Sequence, residues 1–254
     1  MIDIFDEYII ELLNKLKISK ELIGILVYGS YVLQTQDEFS DLDILIIVDN
    51  EFKNICGRGN FIIKDKSIEF FIKTENEIYK ELIEELETLE PATRNELLSG
   101  IIIKDKYNVI KKMQERAKEI SQMPYKPLSR LEIEGITITL RTQLKEIERK
   151  NKHKEKDLLF CFYNYLYELI KAYCDYEKVP IRKYKFYKTY TNEKYRINNM
   201  QLDISDKYVK QEFINLIDEF DFEKLKELTE YILKKIGTLP IEYRIYRNKE
   251  EYYE

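Results

Sequence analysis

The sequence predicts an α+β fold, in which a mixed sheet covered by helices is followed by a C-terminal helical bundle. Up to residue 124, short apolar runs alternate with amphipathic helical patterns, which is typical of a sheet with helices packed on it. Prolines at positions 124 and 127 interrupt this pattern, and the apolar residues beyond them recur at helical spacing. We therefore expect two domains, residues 1–124 and residues 125–254.

The first elements follow from apolar periodicity. Apolar residues from 4 to 16 recur at helical spacing and predict a helix. The branched apolar run at 25–28 predicts a buried strand that ends at the turn Gly29-Ser30. A helix beginning at Ser30 would aim free backbone N–H groups and the hydroxyl at an anion. A second apolar run, at 44–48, predicts the next strand.

The remaining elements of the first half alternate in the same way. Runs at 61–64 and 67–73 predict an antiparallel hairpin turning at Asp65-Lys66, preceded by a flexible connection at 56–60. Further on, we expect a helix over 75–89 ended by Pro91, a last strand over 98–105 and a helix over 107–120. The first half therefore holds four or five strands.

The second half is expected to form four helices. Amphipathic or strongly apolar helical patterns cover residues 128–150, 158–176, 207–220 and 222–236. The tail at 242–254 is polar and tyrosine-rich, which indicates a loosely held or interface segment.

Composition narrows the class of protein. The 254 residues are 44% hydrophobic and 35% charged, as in a globular protein. A formal net charge of -5 makes long nucleic acid an unfavoured partner, although a local basic patch stays open. The 3 cysteines fit reduced thiols better than disulfides or a zinc site. Without a secretory pattern at the N-terminus or a run long enough to cross a membrane, we expect a cytoplasmic protein.

Two acidic residues open the second strand. Asp41 and Asp43 are separated by one residue, so on a strand their side chains point to the same face, while Leu42 points into the core. Neighbouring carboxylates repel each other unless a cation lies between them. A hard divalent ion such as Mg²⁺ is the simplest such cation.

These residues together resemble the DNA polymerase β-like nucleotidyltransferase superfamily. The family signature is a Gly-Ser turn, an Asp-x-Asp pair on a strand and a third carboxylate on a later strand; Gly29-Ser30, Asp41, Asp43 and Glu69 match it in order. The resemblance implies that the three acids bind two Mg²⁺ ions, and that a nucleoside triphosphate, expected to be ATP, is the co-substrate. It also implies that Ser30, nearby backbone N–H groups and Ser40 hold the outgoing phosphates.

Within that superfamily, the two-domain plan resembles the aminoglycoside-modifying branch that includes kanamycin nucleotidyltransferase. By this resemblance Glu146 corresponds to the base that deprotonates the acceptor hydroxyl, and Lys150 corresponds to a lysine that touches nucleotide phosphate. An ordinary surface ion pair at i,i+4 explains the same two residues more simply. The small and basic residues often found after the Gly-Ser turn are replaced by Tyr31-Val32-Leu33. A homodimer is implied by the resemblance alone.

Three hypotheses about function remain open at this point. The first is transfer of a nucleoside monophosphate to a hydroxyl of a small molecule, such as an aminoglycoside antibiotic. The second is modification of a protein toxin or a tRNA end, with the basic, aromatic segment 182–188 as the contact. The third is a non-catalytic binding or regulatory module, which intact acids at 41, 43 and 69 argue against.

Overall fold

The protein was analysed as a computed structural model, which describes residues 3–237. The predicted tail at 242–254 lies outside the described residues. None of the helices in the described range is both long and apolar enough to cross a membrane.

A five-stranded mixed sheet forms the centre of the N-terminal half, as predicted. Its strands lie in the order β3-β4-β2-β1-β5. Strands β2 and β4 are parallel, whereas every other neighbouring pair is antiparallel. The strand bounds are β1 Leu22–Tyr28, β2 Leu42–Val48, β3 Gly57–Ile63, β4 Lys66–Thr74 and β5 Ile101–Asp105.

Four helices cover the two faces of this sheet. Their bounds are α1 Asp3–Leu16, α2 Glu75–Thr88, α3 Ala92–Ser99 and α4 Val109–Ser121. Helix α1 shares a buried apolar core with one sheet face, and α2, α3 and α4 share another core with the opposite face. Strands β1 and β2 are buried on both faces of the sheet, which explains their nearly continuous apolar sequence.

Several predicted boundaries in this half differ from the structure. Residues 98 and 99 end α3, so the predicted strand over 98–105 begins only at Ile101. Strand β3 begins at Gly57, so most of the expected flexible connection at 56–60 is strand. The hairpin is confirmed, but its turn residues are Lys64 and Asp65, which both have positive φ as a tight hairpin turn requires.

The C-terminal half is helical. Helices α5 Arg130–His153 and α6 Leu158–Glu177 are followed by the short helices α7 Phe186–Thr191 and α8 Glu193–Asn198, and then by α9 Lys207–Asp218 and α10 Phe222–Ile236. The four long helices confirm the predicted bundle, and their buried apolar side chains form one core. The sequence analysis did not predict α7 and α8, because a helix of 6 residues is too short to show an apolar period.

By its internal contacts the chain divides into two compact units. Among the described residues, the first unit contains those up to Lys126 together with Asn192–Leu202, and the second contains Pro127–Thr191 and those from Asp203 to Gly237. The expected boundary after residue 124 placed 192–202 in the second domain. This stretch packs instead with the first unit, where Tyr195, Asn199 and Gln201 are buried.

Candidate active site

The turn after β1 brings the backbone against an acidic side chain. Gly29 has φ +76, a conformation that L side chains rarely adopt. A Cβ atom added at this position would lie 1.9 Å from Oδ2 of Asp43. Glycine is therefore required here for two reasons, the backbone conformation and the close approach of the Asp43 carboxylate.

The predicted helix at Ser30 does not form, and a single turn stands in its place. The N–H of Leu33 donates to the Gly29 carbonyl at 3.1 Å, and the N–H of Thr35 donates to the Ser30 carbonyl at 3.0 Å. Gln34 then takes φ +55, which ends the helical path. Within the described residues, the Ser30 hydroxyl has no hydrogen-bond partner. One turn of this kind still presents its first N–H groups to an anion.

The acidic residues lie beside this turn on two neighbouring strands. Asp43 of β2 is directly opposite Tyr28 of β1 and, on its other side, directly opposite Glu69 of β4. Paired residues on adjacent strands point to the same sheet face, so the two carboxylates lie side by side. Asp41 immediately precedes β2, and the alternation places it on that face too, while Leu42 is buried on the other.

Several acidic side chains lie around Tyr28 on this face. Burial raises the pKa of the Tyr28 phenol, and the carboxylates of Glu96, Asp43, Glu69 and Glu81 raise it further. The phenol therefore stays protonated at neutral pH and can act only as a neutral group. Electrostatic repulsion of this kind favours a bound cation over bare carboxylates.

Glu96 of α3 is an acidic residue on this face that the sequence analysis did not find. Burial raises its pKa to about 7, with Lys73 opposing the shift and Asp43 adding to it. The sequence analysis predicts no element between Pro91 and residue 98, so it gave no reason to place Glu96 near the sheet. Its proximity to Asp43 depends on how α3 packs over β1.

The carboxylate oxygens of Asp41, Asp43 and Glu69 are of the kind that binds a hard divalent cation. Asp41 and Glu69 make no hydrogen bond or ion pair within the described part of the chain, so their oxygens are available as ligands. No group of three or more His, Cys, Asp or Glu side chains between residues 5 and 237 is close enough to hold a metal alone. Magnesium commonly binds one or two carboxylates and completes its shell with substrate phosphates and water, which agrees with both observations.

Ser40, predicted to contact phosphate, takes part in a local loop. Its hydroxyl donates to Oδ1 of Asp37 at 3.0 Å and accepts from the N–H of Asp37 at 2.9 Å. The same carboxylate accepts from the N–H of Phe39 at 3.1 Å. These bonds shape the approach to Asp41, and the contact with phosphate stays a prediction.

Glu146 and Lys150, both on α5, belong to a charged network within the second unit. The guanidinium of Arg149 donates to both oxygens of Glu146, at 2.6 and 3.0 Å, and lowers its pKa. The Lys150 ammonium lies 3.7 Å from Glu146 but makes shorter bonds, of 3.0 and 2.8 Å, to Glu155 and Asp157. This geometry supports the surface ion pair, since a lowered pKa makes Glu146 a weaker base.

A second contribution that the sequence did not indicate comes from α8. The side-chain amide of Asn198 donates to the carbonyl of Leu33 at 3.1 Å. This bond joins the turn that follows Gly29 to a segment far along the chain, inside the first unit. The turn beside the acidic residues is therefore stabilised by a hydrogen bond from α8 as well as by its own backbone hydrogen bonds.

A mixed sheet with a glycine turn against paired strand carboxylates is the arrangement expected of a nucleotidyltransferase. The model of the nucleotidyltransferase domain family matches residues 9–251, and the chain belongs to that family. The resemblance to the superfamily is thereby confirmed, and the protein is a nucleotidyltransferase enzyme.

One curated relative and one solved structure are similar to this chain. A protein of Methanocaldococcus jannaschii, provisionally named a protein adenylyltransferase, is 33% identical over 123 residues, which cover 46% of this chain and 81% of that one. The crystal structure of a nucleotidyltransferase-like protein from Exiguobacterium sibiricum superposes with a TM-score of 0.42 and 10% identity, over 92% of this chain and 72% of that one.

Proposed function

We propose that this enzyme transfers AMP from ATP to a hydroxyl group of an acceptor and releases pyrophosphate. The observation that supports this best is the in-register pair of Asp43 and Glu69 beside the Gly29 turn. It places a turn with exposed backbone N–H groups, which suit phosphate, beside two adjacent carboxylates, which suit a divalent cation, and a nucleoside triphosphate bound with its metal ion needs both. Adenine as the base is supported by the name of the archaeal relative.

The proposed reaction assigns a role to each group at the strand edge. Ser30 and the N–H groups of the turn bind the phosphates that leave. The acceptor oxygen attacks the α-phosphorus in line, the bond between the α-phosphorus and the bridging oxygen breaks, and pyrophosphate departs. A carboxylate takes the hydroxyl proton; Glu69 is our first candidate, and Glu146, on the resemblance alone, is the second.

We propose Mg²⁺ as the cation, with Asp41, Asp43 and Glu69 as the candidate protein ligands, each ion taking one or two of them and completing its shell with phosphate and water, since no three such side chains among the described residues lie close enough to hold one ion alone. When bound, such ions neutralise phosphate charge and lower the pKa of the attacking hydroxyl. The sequence analysis expected two ions, and that number stays a prediction.

The acceptor is the least constrained part of the proposal. A small molecule, such as an aminoglycoside, is supported by the helical second unit, which resembles the architecture of the antibiotic-modifying branch. A protein hydroxyl is the second candidate, supported by the name of the relative from M. jannaschii. A tRNA end is a third, with segment 182–188 as its contact: Tyr184 in that segment is 95% exposed.

One assay separates these acceptors. Purified enzyme is incubated with Mg²⁺ and each of the four ribonucleoside triphosphates, labelled at the α-phosphate, with and without aminoglycosides and lincosamides. Pyrophosphate release that depends on one compound identifies a small-molecule acceptor. Label that stays with a defined protein or with tRNA on a denaturing gel identifies a macromolecular one.

The matched control is Asp43→Asn, which keeps the shape of the side chain and removes its charge. We expect a loss of activity of about 100-fold or more. The variant should remain folded, because the substitution relieves repulsion with Glu69. A folded variant with full activity would overturn the metal assignment, and wild-type enzyme that binds no nucleotide would favour the non-catalytic module.

The expected cytoplasmic location and the homodimer remain predictions. Size-exclusion chromatography coupled to light scattering, with and without nucleotide, measures the oligomeric state directly.

A further inference from the structure

One edge of the sheet is open beside the acidic residues. Strand β3 pairs only with β4, and among the described residues no backbone hydrogen bond joins its outer side to another segment. All 7 residues of Gly57–Ile63 pair with β4 without a bulge. Natural edge strands are commonly protected by a proline, a lysine or a bulge, and β3 has none of the three. A regular, open edge of this kind is a template for another strand.

The turn of the β3–β4 hairpin determines which backbone groups of β3 point outward. Its two turn residues have positive φ, so the turn closes with a hydrogen bond between Ile63 and Lys66. Hydrogen-bonded and non-hydrogen-bonded pairs alternate along an antiparallel ladder. The N–H and C=O groups of residues 58, 60 and 62 therefore point away from β4, where an added strand would bond to them.

The side chains of these three residues share the sheet face that carries the acidic residues. Asn60 is directly opposite Glu69, which on its other side is directly opposite Asp43. Because side chains alternate along a strand, Arg58 and Ile62 lie on the same face as Asn60. All three are exposed, Ile62 to 74%. The open edge is therefore continuous with the proposed active site.

The chemistry of this edge favours an extended partner that carries a negative charge. Arg58 forms no ion pair with another described residue, and β3 contains no acidic residue. A second copy of β3 would bring no carboxylate to Arg58, and a polycationic small molecule would be repelled by it. A protein segment in extended conformation can bond to the open backbone groups, bring a carboxylate to Arg58 and cover the apolar side chain of Ile62.

We propose that β3 binds an extended segment of a protein acceptor by strand addition, with a carboxylate of that segment paired with Arg58. This inference rests on the proposed function, and among its acceptors it selects a protein hydroxyl. The added strand would lie two strand spacings, roughly 10 Å, from β4. A hydroxyl side chain that points to the acidic face from that strand would extend over Asn60 toward Glu69.

Two short synthetic peptides rich in valine and threonine test this proposal; they differ only in carrying Glu or Lys on the face that would meet Arg58. Binding is measured by fluorescence anisotropy with ATP and Mg²⁺ present. We expect the wild type to prefer the Glu peptide by about 3-fold or more. Arg58→Glu should reverse this preference. Lys104→Glu is the matched control, because it reverses an exposed charge on the opposite edge strand, β5, and should leave the preference unchanged.

The outcomes separate this inference from the proposed function. If the enzyme transfers AMP to a small molecule but binds neither peptide, or if a folded Arg58→Glu keeps the wild-type preference, the inference is wrong and the proposed function stands. A dimer that Arg58→Glu dissociates, with amide exchange at residues 58, 60 and 62 already slow before peptide is added, would assign the edge to a second copy and also overturn the inference. If the wild type binds neither nucleotide nor peptide, both proposals fail.

Discussion

At the scale of single residues, Gly29 is the position where backbone conformation and the acidic site depend on each other. Its carbonyl accepts the bond that starts the turn, and its hydrogen faces the Asp43 carboxylate. A side chain here would displace the first carboxylate of the proposed metal site. A substitution at Gly29 should therefore strain the backbone and reduce activity at the same time.

We predict that Gly29→Ala lowers both stability and activity. The left-handed conformation alone costs an alanine about 1–2 kcal/mol, and the clash with Asp43 adds to this. Activity should fall by about 10-fold or more, because displaced ligands lose the required geometry. Chemical unfolding and the pyrophosphate assay measure the two effects.

Gly57→Ala serves as the control for this substitution. A Cβ atom at Gly57 meets no atom within 4 Å, and the residue lies at the start of a strand in the same sheet. We expect near wild-type stability and activity. Full activity in a stable Gly29→Ala variant would contradict the assigned geometry.

The residues of the proposed site differ in how readily the sequence pattern alone identifies them. Gly29, Asp41 and Asp43 stand at the ends of recognisable strands and Glu69 lies within one, so the sequence pattern predicts their positions in the sheet. Glu96 could not be found in this way, since its place depends on a helix packing across the sheet. The ligand roles of all these residues stay predictions.

At the scale of elements, the segment Asn192–Leu202 is the largest departure from expectation. It follows α7 of the second unit, yet α8 within it packs with the first unit. Asn198 then donates to the Leu33 carbonyl, the end of the turn that we assign to phosphate. A short helix from late in the chain therefore helps to fix the proposed nucleotide site.

We predict that Asn198→Ala raises the KM for the nucleotide by several-fold with a smaller effect on kcat. The substitution leaves the Leu33 carbonyl without its donor, and one such bond contributes about 1 kcal/mol. Steady-state kinetics at varied ATP concentration measure both constants.

Asn164→Ala is the matched control, because Asn164 also donates to a backbone carbonyl, that of Phe160 at 2.9 Å within α6. Its nucleotide KM should equal that of the wild type. Equal KM values in all three proteins would show that α8 does not position the turn.

Elements with a clear period were predictable, and elements set by tertiary packing were not. The four long helices of the bundle and the central strands have apolar patterns of many residues. Helix α3 lacks such a pattern. Its N-cap residue is a proline, which makes no side-chain cap hydrogen bond, and most of its buried residues are polar. The sequence predicts a helix after Gly29, whereas the structure has a single turn there. The turn ends because Gln34 adopts a left-handed conformation, which the sequence does not reveal.

At the scale of the whole molecule, a buried carboxylate links global stability to pH. Glu85 of α2 is 5% exposed and accepts a hydrogen bond from the N–H of Arg94 at 3.2 Å and another from the N–H of Thr93. Burial raises its pKa from 4.5 to about 7, and the backbone bonds oppose this only in part. The folded state therefore binds a proton that the unfolded state has released between these two values.

We predict that the free energy of unfolding falls as pH rises from 5 to 8. A raised carboxyl pKa favours the folded state below the unfolded value of 4.5, and this contribution is lost as pH rises through about 7. Glu85→Gln should reduce the slope by about 1 kcal/mol per pH unit within that window. Glu96, with a pKa of about 7, leaves a residual dependence.

Urea unfolding at pH 5, 6, 7 and 8 measures this slope. Glu84→Gln, which changes an exposed carboxylate on the same helix, should leave the slope as in the wild type. An unchanged slope in Glu85→Gln would contradict this prediction, because it would show that the Glu85 carboxyl is already ionised in the folded protein at pH 5.

The bond between Leu33 and Asn198 also sets an order of events during synthesis. The two residues are 165 positions apart, so at a translation rate of about 5–20 residues per second the turn waits roughly 8–33 s for its donor. The strands of the sheet can pair meanwhile, since every strand among the described residues precedes residue 106. The sheet can therefore form before the donor of the Leu33 carbonyl exists, and the turn that we assign to phosphate gains this hydrogen bond only after residue 198 has been synthesised.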